Sequence, residues 1–292
     1  MTYARDAFET LPQLPPWVTA ARAETPEDVA FLSGAALAHL HLVLSHTELP
    51  QVLLRARLTL RAAETCVAHS GRSERAGELR DAIAFLLPGD SPGPAGEVYL
   101  SWQRAAERPI SVKVLHRALP EIDAEQIARW LDAGQGSPIS RAAAVLEAVL
   151  EDRPRDQTAA LLLADAAVAQ ALDWSHVLPL LAIGLKRGDL RTTGEVLRLA
   201  FHRAIVASSL EATREAADLS RRAARLREVA PKLRAKGAQE AVALFLTQEA
   251  VAPTSLTSLR SDRAARRLCD RLVELGAVRE LTGRDTFRLY GV

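Results

Sequence analysis

The sequence predicts a mainly α-helical protein that ends in a short β-hairpin. Apolar residues make up 48% of the 292 residues and aromatic residues only 4%; Ala and Leu dominate, and both favour helix over sheet. Pairs such as Thr25-Pro26 and Ser137-Pro138 mark helix starts. The last segment, 261–292, departs from this pattern, because a basic helical stretch is followed by two short extended runs around a Gly.

Composition favours a globular protein from a reducing cellular compartment, in which cysteines remain as thiols. Charged residues make up 25% of the chain, which is ordinary for a folded domain. Cys66 and Cys269 are the only cysteines, and their wide separation suits neither a disulfide framework nor a zinc site. The first residues lack the basic start and apolar run of a signal peptide. We therefore expect a cytoplasmic protein.

The most apolar long stretch, TAALLLADAAVAQALDW, predicts a buried helix of the core. It contains Asp165, Gln170 and Asp173, which make it too polar for a membrane span. We expect no membrane partner.

Pro and Gly divide the chain into four parts. The motif LPQLPPW near the N-terminus is unsuited to regular helix, and Pro and Gly flank the basic motif KLRAK. We expect a Pro-punctuated arm over 1–24, an all-α helical domain over 25–231, a linker over 232–237 and a C-terminal domain over 238–292.

Caps and apolar periodicity predict the helices of the helical domain. Thr25 is suited to cap the first of them, with Pro26 at the first helical position and acidic residues in the first turn. No fixed repeat period is present, so a bundle is favoured over a helical-repeat array. The predicted helices span 25–46, 51–68, 74–87, 94–106, 111–118, 123–133, 137–151, 156–172, 175–186, 193–207 and 209–230.

Two patterns resemble enzyme motifs, and neither has the context that its chemistry needs. Ser91 lies in a G-x-S-x-G pattern, but a nucleophile elbow follows a strand, whereas the preceding DAIAFLL continues a helical pattern. His39, His41 and His46 lack the i, i+4 spacing that places two metal ligands on one helix face. Phosphate-loop and dinucleotide motifs are missing from the sequence. We therefore predict no catalytic residue, metal or cofactor, and a protein that is not an enzyme.

The C-terminal domain shows the element order of a winged helix-turn-helix. Helical patterns predict three helices, and Ser261 and Gly276 flank the third as its cap and its stop. Two extended runs follow, joined by TGRD, in which Gly283 is free to adopt a positive φ. The helices are predicted at 238–247, 254–259 and 262–275, and the strands at 277–281 and 286–290.

The third predicted helix is amphipathic, and its polar side changes sign along its length. The apolar face consists of Ala264, Ala265, Leu268, Leu272 and Leu275. The opposite side carries Arg263, Arg266 and Arg267, followed by Asp270 and Glu274. A basic N-terminal half is typical of a recognition helix in the major groove. The alternative is a solvated face with an Arg266–Asp270 ion pair.

The charge distribution favours DNA as the partner of the C-terminal part. Residues 214–292 carry 16 Arg and Lys against 10 Asp and Glu, whereas residues 1–213 carry 21 against 26. We expect the three arginines of the third helix to approach the major groove, and Arg284 at the hairpin tip to contact the DNA backbone. Further phosphate contacts are expected from Arg221, Arg222 and Arg225.

We expect the helical domain to sense a ligand, bind a protein partner or form a homodimer. The alternative function is that of a helical adaptor whose winged domain binds protein instead of DNA.

Two resemblances extend these expectations. ARRLCDRLVELGAVRELTGRDTFRLY resembles the winged tail often appended to Fic-type nucleotidyl transferases, but nothing here matches their H-x-F-x-[DE]-G-N-G-R loop, so the resemblance implies a binding module without catalysis. The stretches GDSPGPAG, LPLLAIGLKRGDLR, APKLRAKGA and SDRAARRLCDRLVELGAVRELTGRDTFRLYG are similar to an uncharacterised alphaproteobacterial family, often plasmid-borne (domain-of-unknown-function family 1403). That resemblance implies a role in the regulation or maintenance of mobile DNA.

Overall fold

The structure, a computed structural model, describes residues 11–20, 25–284 and 286–292. Within these residues it is mainly helical, with one two-stranded antiparallel sheet, so the predicted fold class is confirmed at this level. The helices are α1 Pro16–Ala20, α2 Pro26–Leu44, α3 Gln51–His69, α4 Ala76–Ala84, α5 Gly93–Glu107, α6 Val112–Ala118, α7 Ala124–Asp132, α8 Pro138–Asp152, α9 Gln157–Ala171, α10 Leu181–Gly184, α11 Gly194–Val229, α12 Ala238–Phe245 and α13 Asp262–Glu274. The strands are β1 Arg279–Glu280 and β2 Tyr290–Gly291, and 3-10 turns span Asp189–Arg191, Ala230–Lys232 and Pro253–Ser255.

The predicted arm is described only in part, since residues 1–10 and 21–24 lie outside the described residues. Residues 11–15 are not helical, as expected for LPQLP, but α1 follows and was not predicted. Pro16 occupies its first position, where the missing N–H costs no intrahelical hydrogen bond.

The start of α2 is set by reciprocal hydrogen bonds. The Thr25 hydroxyl accepts a hydrogen bond from the N–H of Asp28 at 3.2 Å, and the Asp28 carboxylate accepts one from the N–H of Thr25 at 3.0 Å. This pair satisfies two backbone donors that the helix itself leaves open. The predicted helix start is therefore confirmed.

The predicted helices 193–207 and 209–230 are a single 36-residue helix, α11. The predicted break at Ser208 is wrong, because the Ser208 hydroxyl donates to the carbonyl of Ala204 at 2.8 Å and is satisfied inside the helix. At the start of α11, the Glu147 carboxylate of α8 accepts a hydrogen bond from the N–H of Gly194. A partner distant in sequence thus caps the helix.

The predicted helix 175–186 is mostly wrong, since only its four-residue piece α10 forms. Pro179 disfavours helical backbone at the residue before it. The Asp165 carboxylate, on α9, also accepts hydrogen bonds from three successive N–H groups of the same segment, those of Leu180 at 3.0 Å, Leu181 at 2.8 Å and Ala182 at 3.1 Å. This segment is therefore bonded to a neighbouring helix through donors that a longer helix would use internally.

Helix α9 is a buried helix of the core, as the sequence predicted. Its residues 159–169 are all buried, and it packs along α8. The Asp165 side chain is completely buried among them. Burial raises the pKa of the Asp165 carboxyl to about 7, and the three backbone N–H donors oppose that rise.

Among the described helices, α2 alone has the length and composition of a membrane span. Its most apolar window has a mean hydropathy of 1.3, and 39% of that window is buried. Core helices of soluble proteins also satisfy this criterion.

The described residues divide into two compact units. The central unit contains 14–20, 25–39 and 55–211, and the C-terminal unit contains 11–13, 40–54, 212–284 and 286–292. Within the C-terminal unit, Arg227 of α11 forms an ion pair with Glu48 at 3.1 Å, which ties the loop after α2 to this unit. Residues 238–292 thus fold together with the second half of α11.

Candidate nucleic-acid interface

The third helix of the C-terminal domain, α13, forms at its predicted position. The Ser261 hydroxyl caps it by accepting a hydrogen bond from the N–H of Ala264 at 3.3 Å. Gly276 follows the helix with a φ of +65°. This is the left-handed conformation that favours Gly after a helix. The sequence therefore predicted both ends of this helix.

The buried face of α13 agrees largely with prediction. Ala265, Leu268 and Leu272 are buried, whereas Ala264 and Leu275, which were predicted on the same face, are half-buried. The buried face also includes the thiol of Cys269, which the prediction did not place there. Burial raises the pKa of Cys269 to about 12, so the thiol stays protonated at neutral pH.

The N-terminal half of α13 presents three exposed arginines, Arg263, Arg266 and Arg267. No carboxylate of the described residues lies within 4.0 Å of their guanidinium groups. The alternative Arg266–Asp270 pair is therefore not formed. Asp270 lies instead 3.5 Å from the hydroxyl of Tyr290 on β2. This half of the helix keeps its positive charge available to an external anion.

In the C-terminal half of α13, the positive charge is paired with a carboxylate of the same helix. Arg271 forms an ion pair with Glu274 at 2.9 Å. Arg225 of α11 donates a hydrogen bond to the carbonyl of Leu275 at 3.2 Å, at the end of the helix. The polar side of α13 thus separates into a basic N-terminal half and a paired C-terminal half.

The hairpin forms with shorter strands than predicted. Glu280 of β1 pairs with Tyr290 of β2, and the N–H of Leu281 donates to the carbonyl of Leu289 at 2.8 Å. Val251 adds a third extended segment, because its N–H and carbonyl both bond to Tyr290, at 2.8 and 3.0 Å. Val251, Tyr290 and β1 therefore form one small set of paired strands.

The hairpin loop is longer than the predicted TGRD turn, and the Glu280 carboxylate binds its backbone. The Glu280 carboxylate accepts hydrogen bonds from the N–H groups of Thr282 at 2.7 Å and Gly283 at 2.8 Å. Gly283 adopts a φ of +62°, as predicted. Arg284 is exposed in this loop, and its carbonyl accepts a hydrogen bond from the Nε of Arg288 at 2.9 Å.

Tyr290 connects the hairpin to α13. It is buried, and its hydroxyl faces both Asp270 and Arg288. Burial raises the pKa of the Tyr290 hydroxyl, and the hydrogen bond with Arg288 opposes that rise. The Tyr290 side chain therefore brings the hairpin next to Asp270 of α13.

The second predicted helix, 254–259, is only the 3-10 turn Pro253–Ser255. The chain beyond it turns toward Gly237, where the Ser258 hydroxyl donates to the carbonyl of Gly237 at 3.0 Å. The first predicted helix, 238–247, forms as α12 and ends two residues earlier.

A glycine is required at position 237, where the chain passes Ser258, for two reasons. We call this contact the Gly237–Ser258 crossing. The φ of Gly237 is +89°, and a Cβ atom there would lie 2.3 Å from the carbonyl oxygen of Ser258.

We expect Gly237→Ala to destabilise the C-terminal unit by roughly 2 kcal/mol or more, since left-handed backbone alone costs Ala about 1–2 kcal/mol. Urea denaturation monitored by circular dichroism measures this, with Gly188→Ala, where a Cβ meets no atom within 4 Å, as the control. Equal stability of both variants would contradict the expectation.

The remaining candidate arginines are paired with carboxylates on their own helix. Arg221 and Arg222 lie 3.1 and 2.6 Å from Asp218, and Arg225 lies 2.9 Å from Glu228. The structure therefore does not leave these three side chains as free cations, in contrast to those at the start of α13. These pairs were not predicted, although their spacing of three or four residues on one helix is a signal that the sequence carries.

Ser91 lies in a loop between α4 and α5, without a preceding strand. Its hydroxyl accepts a hydrogen bond from the N–H of Gly93 at 3.3 Å, which is a turn contact. Its side chain is exposed.

We expect Ser91→Ala to change the free energy of unfolding by less than about 0.5 kcal/mol, as for other surface substitutions. Covalent labelling of Ser91 by a fluorophosphonate probe would contradict this interpretation.

The described residues contain no group of three His, Cys, Asp or Glu side chains able to hold a metal ion.

Comparison with known proteins places the chain in a family without assigning it a function. No curated protein matches it. A family model does match, over residues 2–292. Because that match covers nearly the whole sequence, the chain belongs to the family described as "Protein of unknown function (DUF1403)".

Proposed function

We propose that this protein is a non-catalytic DNA-binding protein whose C-terminal residues 238–292 form a winged helix-turn-helix. The observation that carries the proposal is the basic half of α13, where three exposed arginines have no described carboxylate partner. An exposed α-helix of this kind fits the major groove, which is about 12 Å wide, because a helix with its side chains is about 10–12 Å across.

The order of elements supports the winged arrangement. Helix α12, the 3-10 turn Pro253–Ser255 and α13 follow one another, and the β1–β2 hairpin comes last. Val251 extends the hairpin by one paired segment. Because Tyr290 of the hairpin lies next to Asp270 of α13, we expect both elements to contact one partner together.

Each candidate arginine has an expected role. Arg263, Arg266 and Arg267 approach base edges and phosphates in the major groove, where guanidinium groups bind guanine and phosphate oxygens. Arg284 approaches the DNA backbone from the hairpin loop. The paired arginines of α11 contribute less, because each must give up a carboxylate partner before it binds phosphate.

The biological setting that fits this proposal is regulation or maintenance of DNA in the cytoplasm. The resemblance to an often plasmid-borne family favours mobile DNA as the target. In this proposal the helical part of the chain senses a ligand, binds a partner or forms a homodimer.

Fluorescence anisotropy of the purified protein with labelled duplexes tests the proposal. The duplexes are the promoter region of its own gene and a random sequence of equal length. We expect binding whose affinity falls as salt rises, with a log–log slope of about −0.9 for each phosphate contacted. Failure to bind either duplex at low salt would reject DNA as the partner.

The second candidate function is a helical adaptor whose C-terminal unit binds protein. Two exposed apolar side chains favour it, Phe287 in the hairpin loop at 74% exposure and Val273 on α13 at 38%. An apolar side chain on the proposed surface is suited to a protein partner. Absence of salt-dependent DNA binding would favour this function.

A further inference from the structure

We propose that residues 232–236, predicted to be a linker, form a phosphate-binding segment next to the start of α13. We call Arg234 and Lys236, together with Arg260, the basic strap. This inference rests on the proposed DNA-binding function, since it assigns to the same surface a second group of contacts with a different role.

The Gly237–Ser258 crossing brings the two parts of the strap together. The Ser258 hydroxyl bonds to the carbonyl of Gly237, and the Ser258 carbonyl lies where a Cβ of residue 237 would stand. Lys236 is one residue before this crossing and Arg260 is two residues after it, which corresponds to about 4 and 8 Å of chain. Ser261, the cap of α13, comes next. The strap is therefore adjacent to the end of α13 that carries the exposed arginines.

The strap is exposed and positively charged. Arg234, Lys236 and Arg260 are all exposed, and no carboxylate of the described residues lies within 4.0 Å of their charged groups. Their neighbour Lys232 differs, since it pairs with Glu228 at 3.1 Å. The segment thus neutralises its first cation and leaves the later ones to an external anion.

The backbone around the strap is fixed, whereas its side chains are free. Gly237 is held by Ser258, and the N–H of Ala238 donates to the carbonyl of Ala235 at 3.1 Å. Lys binds phosphate as a point charge and Arg binds it through its planar guanidinium, and a phosphate contact of either kind carries no base-sequence information. The strap therefore supplies affinity and orientation, while the arginines of α13 supply sequence preference.

The test compares the Arg234→Ala/Lys236→Ala double variant with the intact wild-type chain by anisotropy. Removing one phosphate-binding cation flattens the salt slope by about 0.9, so we expect a slope flatter by up to about 1.8. Between about 50 and 200 mM salt, the affinity of the variant then falls roughly tenfold less than that of wild type. The ratio of affinities for specific and random duplexes is expected to remain unchanged.

A matched control removes the same charge elsewhere. Arg108 and Arg155 are exposed residues of the central unit and have no described carboxylate partner, so Arg108→Ala/Arg155→Ala is expected to leave the salt slope unchanged. Arg234→Gln/Lys236→Gln, which keeps longer polar side chains, is expected to behave like the Ala variant. Thermal melting by circular dichroism checks that all variants fold.

The outcomes separate this inference from the proposed function. If wild type binds DNA and the strap variant keeps the wild-type slope, the strap is rejected and the function stands. Equal flattening in the control pair would also reject the strap, because net charge alone would explain it. If wild type binds no DNA, both the function and the strap are rejected.

Discussion

Asp165→Ala is expected to destabilise the protein by at least about 3 kcal/mol, because each unsatisfied buried hydrogen-bond donor costs roughly 1–3 kcal/mol. The substitution removes the partner of three backbone N–H groups at once, those of Leu180, Leu181 and Ala182. The site is completely buried, so bulk water does not reach these donors without opening the core. Urea denaturation followed by circular dichroism measures the loss. A loss below about 1 kcal/mol, within the ordinary range of single substitutions, would contradict this account of the site.

The pH dependence of the Asp165 contribution has a definite sign. Burial raises the pKa of Asp165 in the folded chain to about 7. In the unfolded chain an Asp has a pKa of about 3.9, so the folded state binds the proton more tightly. The contribution of this group to stability is therefore fully present below about pH 4 and is lost as pH rises through about 7.

Asp165→Asn is the matched variant for this pH dependence, because it keeps the shape of the side chain and does not titrate. The stability of wild type relative to this variant is expected to decrease as pH rises from about 5 to 8. Other titrating groups are common to both proteins and cancel in the difference. A difference that grows with pH would show that the ionised carboxylate is the stabilising form.

Arg263→Ala/Arg267→Ala is expected to have the largest effect on DNA binding. Both side chains lie on the exposed face of α13, away from the buried Leu268 and Leu272, so the fold is expected to be retained. Where an arginine binds phosphate, its removal flattens the salt slope by about 0.9. Where it binds a guanine edge, its removal costs about 1–3 kcal/mol and relaxes preference at one base pair.

Anisotropy with specific and random duplexes at several salt concentrations separates these two roles. Arg271→Ala is the control on the same helix, because Arg271 is paired with Glu274 in the C-terminal half. We expect it to reduce affinity much less than the double variant. If Arg271→Ala lowered log affinity by about half as much as the double variant, which removes two charges, α13 would act only through its total charge and the major-groove assignment would be wrong.

The sequence by itself determined the elements that depend on neighbouring residues. Thr25-Pro26 and Ser261 predicted helix starts because a capping hydroxyl binds the backbone N–H only three residues later. The structure contains these hydrogen bonds. The exposed face of α13 followed from helical periodicity, since Arg263 and Leu268 differ in their angle around the helix axis. The mainly helical class followed from the same local preferences, summed along the chain.

Only the tertiary structure decided the features that depend on residues distant in sequence. The shortness of α10 depends on Asp165, the crossing at Gly237 depends on Ser258, and the contact between the hairpin and α13 involves Tyr290. The physical reason is that a backbone N–H or carbonyl needs a hydrogen-bond partner, and the packing of distant segments decides which partner lies close enough. The paired arginines of α11 and α13 are different, because their carboxylate partners lie three or four residues away on the same helix, a spacing that is visible in the sequence. Periodicity predicts the face of a side chain and its neighbours on the same helix, and packing decides a partner that is distant in sequence.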